Sequence, residues 1–231
     1  MRPTLFPIRR PRVGISVSAS ALSLVALRRP WFRRPIVKQV LERPLPSGLL
    51  KVSATEPHIT DLDAFAQELR ALTEGLSERT IALSVPNRAM HMGVFAFDRF
   101  PDDPEERAGL IKWRFREDLN LTIGDARVMM QIFPAGTRTQ VLAVAVRQTI
   151  LDQYEDVCAR AGLIPVSMGF SHLQLIGLYR RLMKGARRLC VMHWAGDEFM
   201  LLLFDQGQPV CLRTKSMTGG TQDLRRELVG T

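Results

Sequence analysis

The stretch Val13–Leu27, VGISVSASALSLVAL, constrains the fold more than any other in the chain. Apolar residues alternate through Val13, Ile15 and Val17, then resume at Leu22, Leu24 and Val25–Leu27. Period-two alternation with β-branched residues predicts two strands. Ser18, Ala19 and Ser20 form the turn between them. A turn of such small side chains lets backbone N–H groups approach an anion closely, as phosphate-cradling loops do. The same residues also suit an ordinary small-residue hairpin, and both readings stay open at this point.

The chain has 231 residues, 46% hydrophobic and 24% charged, enough for one large or two modest domains. It contains no apolar run of about 18 residues, so no transmembrane helix is expected. The basic N-terminus is punctuated by Pro3, Pro7 and Pro11, with no apolar segment or small-residue cleavage site after it, so no secretory signal is expected. Cys158, Cys190 and Cys211 are odd in number and widely spaced, which suits a reducing compartment rather than a disulfide framework. The four histidines show no metal-ligand spacing. The net charge of +9 is placed unevenly. Residues 1–43 hold ten Lys and Arg against one acid, Glu42, and the remainder is balanced at 22 of each sign. Such a concentration suits nucleic acid or an anionic lipid surface.

Ile36–Leu41 is a third expected strand, followed by a turn at Leu45-Pro46-Ser47-Gly48. Thr60 is placed to cap a helix whose stripe is Leu62, Phe65, Leu69 and Leu72, with Gly75 just past its end. Thr80–Val85 is a short apolar strand closed by Pro86-Asn87. A different segment then intervenes. Ala89–Phe97 is a strand, and Asp102 or Asp103 caps a helix reaching about Asp118, with Glu105 and Glu106 favourable in its first turn. Arg127–Phe133 and Gln140–Val146 form a hairpin around Ala135-Gly136-Thr137. Met129-Met130 is read as core packing.

The earlier pattern resumes with a helix carrying Ile150, Leu151, Tyr154, Val157, Cys158 and Ala161, ended by Gly162. Ile164–Met168 is a strand with Pro165 near its start. Ser171 begins a helix with Leu175, Ile176, Tyr179, Leu182 and Met183. Leu189–Trp194 and Phe199–Phe204 are strands around Ala195-Gly196-Asp197, and Pro209–Lys215 is a third. Gly219-Gly220 precedes a helical start at Gln222–Leu228. Three meandering strands and then a helix echo residues 13–72, a weak internal repeat. Helices alternating with strands imply a largely parallel sheet, to which the meander adds antiparallel strands. A duplicated unit of this order is the plan of actin-like folds, which bind nucleotide between two lobes.

On these residues the chain resembles the PilM-type pilus assembly proteins, actin-like relatives of the division protein FtsA. The stretches that carry the resemblance are Val13–Leu27, Leu83-Ser84-Val85-Pro86, Trp113–Leu121, Ala161-Gly162-Leu163-Ile164-Pro165 and Cys190–Gly220. It covers essentially the whole chain from Val13 and rests on the order and spacing of these short motifs. The resemblance implies an α/β, actin-like (ribonuclease-H-like) lobe formed by residues 1–85 and 148–187. It implies an inserted strand–helix–strand–strand subdomain at 86–147 and an incomplete second lobe at 188–231. It further implies a cytoplasmic protein, peripheral at the inner membrane, that binds the short tail of a bitopic partner in a type IV pilus or related secretion platform. Self-association is a further partner expectation.

The chain departs from the family's nucleotide pattern. The family's first hairpin reads roughly Gly-Ile-Asp-Ile-Gly-Ser-Ser-Ser-Val-Lys; here it reads Gly14-Ile15-Ser16-Val17-Ser18-Ala19-Ser20-Ala21-Leu22-Ser23. In the second hairpin the expected Asp-x-Gly is His193-Trp194-Ala195, followed by Gly196. Gly14, Ser16, Ser18, Ala19, Ser20, His193, Ala195 and Gly196 are therefore read as a degenerate nucleotide site. Mg²⁺ wants carboxylate oxygen, and neither hairpin offers one at the expected position. No cofactor is expected, although the family uses ATP and Mg²⁺, and hydrolysis is not expected either. The alternative is an actin-like ATPase or kinase-like enzyme. His91, His172 and His193 are read as core or surface histidines. Arg28, Arg29, Trp31, Phe32, Arg33 and Arg34 form an expected loop with two aromatics among four arginines, suited to an anionic membrane surface. A nucleic-acid binder would need aromatics spaced along a sheet face with basic residues. Only Trp31 and Phe32 meet that pattern, so nucleic acid is not an expected partner.

Overall fold

The computed structural model describes residues 11–28, 34–119, 124–135, 138–179, 186–195 and 198–216. The chain divides into two compact units. One is drawn from Met1–Val52, Pro57–Pro86 and Leu151–Ser171, the other from Ser53–Glu56, Asn87–Ile150 and His172–Thr231.

The first unit is built on a five-stranded sheet of β1 (Val13–Val17), β2 (Ala21–Arg28), β3 (Ile36–Pro44), β4 (Thr80–Val85) and β8 (Ile164–Phe170). Its strand order is β3-β2-β1-β4-β8. β1–β2 and β2–β3 are antiparallel, whereas β1–β4 and β4–β8 are parallel. That mixture follows from the connections. A short turn suffices to join the antiparallel strands β1 and β2, whereas parallel neighbours need crossover connections that carry helices. Helix α1 (Leu62–Leu72) leads into β4, and helix α3 (Gln148–Arg160) leads into β8. Right-handed crossovers place both helices on one face of the sheet. The ion pair Arg160–Asp63 at 2.7 Å, between α3 and α1, agrees with that placement.

Register explains why that face is dry. Val13 lies opposite Ala26 and Ile81, and Ile15 lies opposite Leu24 and Leu83. All six are buried, together with Phe65, Leu69 and Leu72 of α1 and Tyr154, Val157 and Cys158 of α3. Burying each large side chain contributes about 1.5–3 kcal/mol. Two polar groups in this core are satisfied by each other. His58 Nδ1 and the Tyr154 hydroxyl are 2.9 Å apart and the rings meet edge to face. The N-cap of α1 is Asp61 rather than the expected Thr60: Asp61 Oδ1 accepts from the N–H groups of Asp63 (3.0 Å) and Ala64 (2.9 Å). Thr60 instead donates its hydroxyl to the carbonyls of Gly48 and Leu49.

The second unit contains two three-stranded sheets. β5 (Met90–Phe97), β6 (Ala126–Ala135) and β7 (Arg138–Arg147) are ordered β5-β7-β6. Helix α2 (Pro104–Leu119) covers one face of that sheet. Ile111 and Phe115 of α2 join a core with Phe95, Phe97, Ala126, Val141, Ala143 and Ala145. Asp103 caps α2, accepting from Glu105 and Glu106 at 2.9 Å each. β9 (Arg188–Ala195), β10 (Glu198–Asp205) and β11 (Gln208–Ser216) form the other sheet as an antiparallel meander. A second core joins Leu142, Ile176 of helix α4 (Ser171–Tyr179), Val191, Met200, Leu202 and Phe204. α4 is described to Tyr179; Leu182 and Met183 lie outside the described residues, as do Gly219, Gly220 and the expected helical start after them.

Candidate functional site

The first hairpin closes as its sequence predicts. β1 and β2 pair down to Val17 opposite Leu22, leaving residues 18–21 as the turn. The Ser18 N–H donates to the Ala21 carbonyl at 2.9 Å. The Ser18 hydroxyl donates to that same carbonyl at 2.9 Å and accepts from the Ala21 N–H at 3.0 Å. The turn therefore bonds to itself, and two of the N–H groups that an anion would need are already engaged. Ser18, Ala19 and Ser20 are exposed. Ser16 is exposed on the sheet face opposite Ile15, with Ser23 and Ser84 as its strand neighbours. Gly14 is half-buried on the same face. The face thus offers three neutral hydroxyls in a row, which can hydrogen-bond but supply no anionic ligand for a hard cation.

His193 and Ala195 lie on β9 in the second unit, and Gly196 lies outside the described residues. His193 faces His172 at the start of α4. The rings are perpendicular, with centroids 4.7 Å apart, and the two Nδ1 atoms are in hydrogen-bond contact. His172 is fully buried and its backbone N–H donates to Asn87 Oδ1 at 3.1 Å. Burial, reinforced by His193, pushes the His172 pKa down to about 4. Burial also lowers that of His193. Both rings are therefore neutral at pH 7, and the Nδ1 contact requires one to donate and the other to accept. This pairing was not legible in the sequence, because 21 residues separate the partners. Among the described residues no group of three or more His, Cys, Asp or Glu is placed to hold a metal ion. Burial raises the Cys158 thiol to about 12, so it is no nucleophile.

Of the expected membrane-facing loop, Arg28 and Arg34 are exposed at its two ends. Arg29, Trp31, Phe32 and Arg33 lie outside the described residues.

The second unit also carries two recesses. One, of about 120 Å³, is polar and bounded by Asn87, His172, Glu198, Thr214 and Lys215 among others. The other is apolar, about 180 Å³, and lies between α4 and the β6–β7 hairpin. Leu173 and Ile176 of α4 form one wall and Met129, Met130 and Gln131 of β6 with Leu142 and Val144 of β7 the other. Met129 pairs with Val144 and Gln131 with Leu142, which brings these four onto the recess wall. Val128 packs against the α2 core. Met129 and Met130 are both partly exposed and both border the recess, and Met130 also packs against the α2 core. Adjacent residues on a strand point to opposite faces, so a Met-Met pair on β6 serves more than one packing surface. β6 is also the edge of its sheet.

No family model matches the chain, and no curated protein matches it either. Solved structures do. One is a PilM-PilN type IV pilus biogenesis complex, with a TM-score of 0.74 and 21% identity, covering 96% of this chain and 67% of that one. A second is a Bacteroides thetaiotaomicron protein of actin-like ATPase fold and unknown function. Its TM-score is 0.55 at 12% identity, over 94% of this chain and 74% of that one. A third is the cytoplasmic domain of EpsL, an inner membrane component of the Vibrio cholerae type II secretion system. It aligns with a TM-score of 0.51 and 8% identity, over 88% of this chain and 70% of that one. These likenesses establish an actin-like α/β fold, of the kind seen in the PilM-PilN complex.

Proposed function

We propose that this chain is a scaffold of a type IV pilus or related secretion platform at the inner membrane, and that it holds the short cytoplasmic tail of a bitopic membrane protein. The observation that carries the reading is the apolar recess beside the β6 edge. An extended tail gains affinity by pairing its main chain with an exposed strand edge and by seating alternate side chains in pockets. β6 supplies the edge, and Met129, Leu142, Leu173 and Ile176 supply an apolar seat. Methionine suits such a seat because its flexible thioether adapts to irregular shapes. Each apolar anchor that leaves water contributes about 1.5–3 kcal/mol. The kinds of assembly named for two structural neighbours, a type IV pilus complex and a type II secretion component, support the same reading.

The role needs no nucleotide turnover, and we assign none. Arg28 and Arg34 flank the arginine- and aromatic-rich segment, which would rest on the anionic leaflet. Co-sedimentation with anionic vesicles should fall with salt and weaken in Trp31→Ala/Phe32→Ala; equal binding to neutral vesicles rejects lipid charge as its basis.

Calorimetric titration with synthetic tails of bitopic pilus proteins tests the main reading. Binding is expected at micromolar affinity and at least tenfold weaker in Met129→Glu, a change at a partly exposed position, with circular dichroism as the control that the variant is folded. No heat with any tail, at concentrations well above ~100 μM, rejects tail binding. Undiminished binding in Met129→Glu rejects this recess as the seat.

A further inference from the structure

The strand β3 is the edge of the five-stranded sheet. It displays Ile36, Val37 and Val40 at 54%, 57% and 64% exposure, an unusual load of apolar surface for a strand with no outer neighbour among the described residues. Edges are commonly guarded by a charge, a bulge or a proline. β3 carries all three, with an irregularity in its pairing at Lys38 and with Pro44 at its end. The direction of its backbone shows what these devices leave open. The Leu45 N–H donates to the Ser20 carbonyl at 2.8 Å, so Leu45 points its backbone at β2. Alternation then points Arg43 and Leu41 toward β2, and Pro44, Glu42 and Val40 away from it. Pro44 therefore forfeits no ladder bond. The N–H and C=O groups of Val40 and Glu42 face outward. The helix side of the strand is occupied, because Arg43 is ion-paired with Glu68 of α1.

We propose that β3 pairs antiparallel with β3 of a second copy of this chain, about a two-fold axis through Val40. Self-complementarity carries the choice of partner. A two-fold axis at Val40 places Val40 opposite itself and brings Lys38 of each copy, the extra residue of the bulge, beside Glu42 of the other. The guarding charge is thereby neutralised twice by a surface that any second copy brings with it. Isologous pairing of this kind is what two-fold symmetry demands. Opposite charges directly across an antiparallel pair are favourable, and like charges are not. Val25, 37% exposed and paired with Val40, extends the apolar contact on the same open face. A ladder this short buries less than the ~1,200–2,000 Å² of a standard interface, so the dimer is a weak one, forming in the micromolar range or when copies are gathered on a common platform.

Sedimentation velocity on the full chain from about 1 to 200 μM reads the association directly. A monomer–dimer equilibrium is expected, abolished by Val40→Lys. Lys38→Glu alone and Glu42→Lys alone should each weaken it at least fivefold, and the double exchange Lys38→Glu/Glu42→Lys should restore it. All three positions are exposed, and melting curves on the four variants control for folding. A monomer throughout, a dimer that survives Val40→Lys, or failure of the double exchange to restore association each overturns the proposal.

Discussion

At the residue scale the most informative pair is His172 and His193. Each is neutral in the folded chain because burial opposes its charged form, and each regains an ordinary pKa near 6.5 on unfolding. The unfolded chain therefore binds more protons between pH 6.5 and about 4, and stability must fall as the pH drops through that window. With a folded pKa of about 4, His172 accounts for up to about 3 kcal/mol of the loss. His91, also lowered by burial and by Arg147, adds to the slope. Urea midpoints at pH 7.0, 5.5 and 4.5 are expected to decline steeply in the wild type and less steeply in His172→Gln. An unchanged slope in that variant would place the acid sensitivity elsewhere. Nothing in the sequence announced this pair. His193 was legible only as the residue where an aspartate is expected, and His172 only as the second residue of a helix. Long-range contact alone joins them, and local pattern cannot report that.

At the scale of elements, the sequence told more. Alternation located β1, β2, β4 and β5, and apolar stripes located α1 and α3, because a half-buried element shows its period. Its ends were less legible. β3 runs on to Pro44 although proline reads as a breaker, because at an edge the missing N–H faces outward. The cap of α1 shows a second kind of limit. Thr60 and Asp61 are both good capping residues, and only the backbone decides which one meets the first turn. Since Asp61 holds both N–H groups, Asp61→Ala should cost about 1 kcal/mol of unfolding free energy. Asp61→Asn should restore most of it, because Asn caps as well. A loss in Asp61→Ala below a few tenths, or no recovery with Asn, would show that the side chain's role is not capping. The apolar recess was out of reach of pattern altogether. It arises where α4 meets β6 and β7, two elements distant in sequence from the helix.

At the scale of the whole molecule, the strand order β3-β2-β1-β4-β8 follows from the order of elements alone: a meander first, then two right-handed helical crossovers. Chain order and compactness are different properties, however, since the compact units group α4 and the β9–β11 meander with the residues of the inserted segment. An actin-like plan by itself says nothing about whether nucleotide binds, because fold and site are separable. That question rests on the two hairpins. Ser16 offers a neutral hydroxyl where a carboxylate would organise Mg²⁺. Ser18 ties up the Ala21 N–H, and His193 is neutral and bonded to His172. Mg-ATP is therefore expected to leave the melting temperature unchanged. A ligand present at 100 times its Kd would add about 2.7 kcal/mol, which in a chain of this size raises the melting temperature by roughly 5–10 °C, so the assay has room to contradict the reading. A rise of that order would mean that the hairpins hold phosphate without a carboxylate. Ser16→Asp alone should not create binding, because the self-bonded turn at Ser18 and the neutral histidine pair both remain. If it does, the lost aspartate was the whole of the difference, and the other substitutions are incidental.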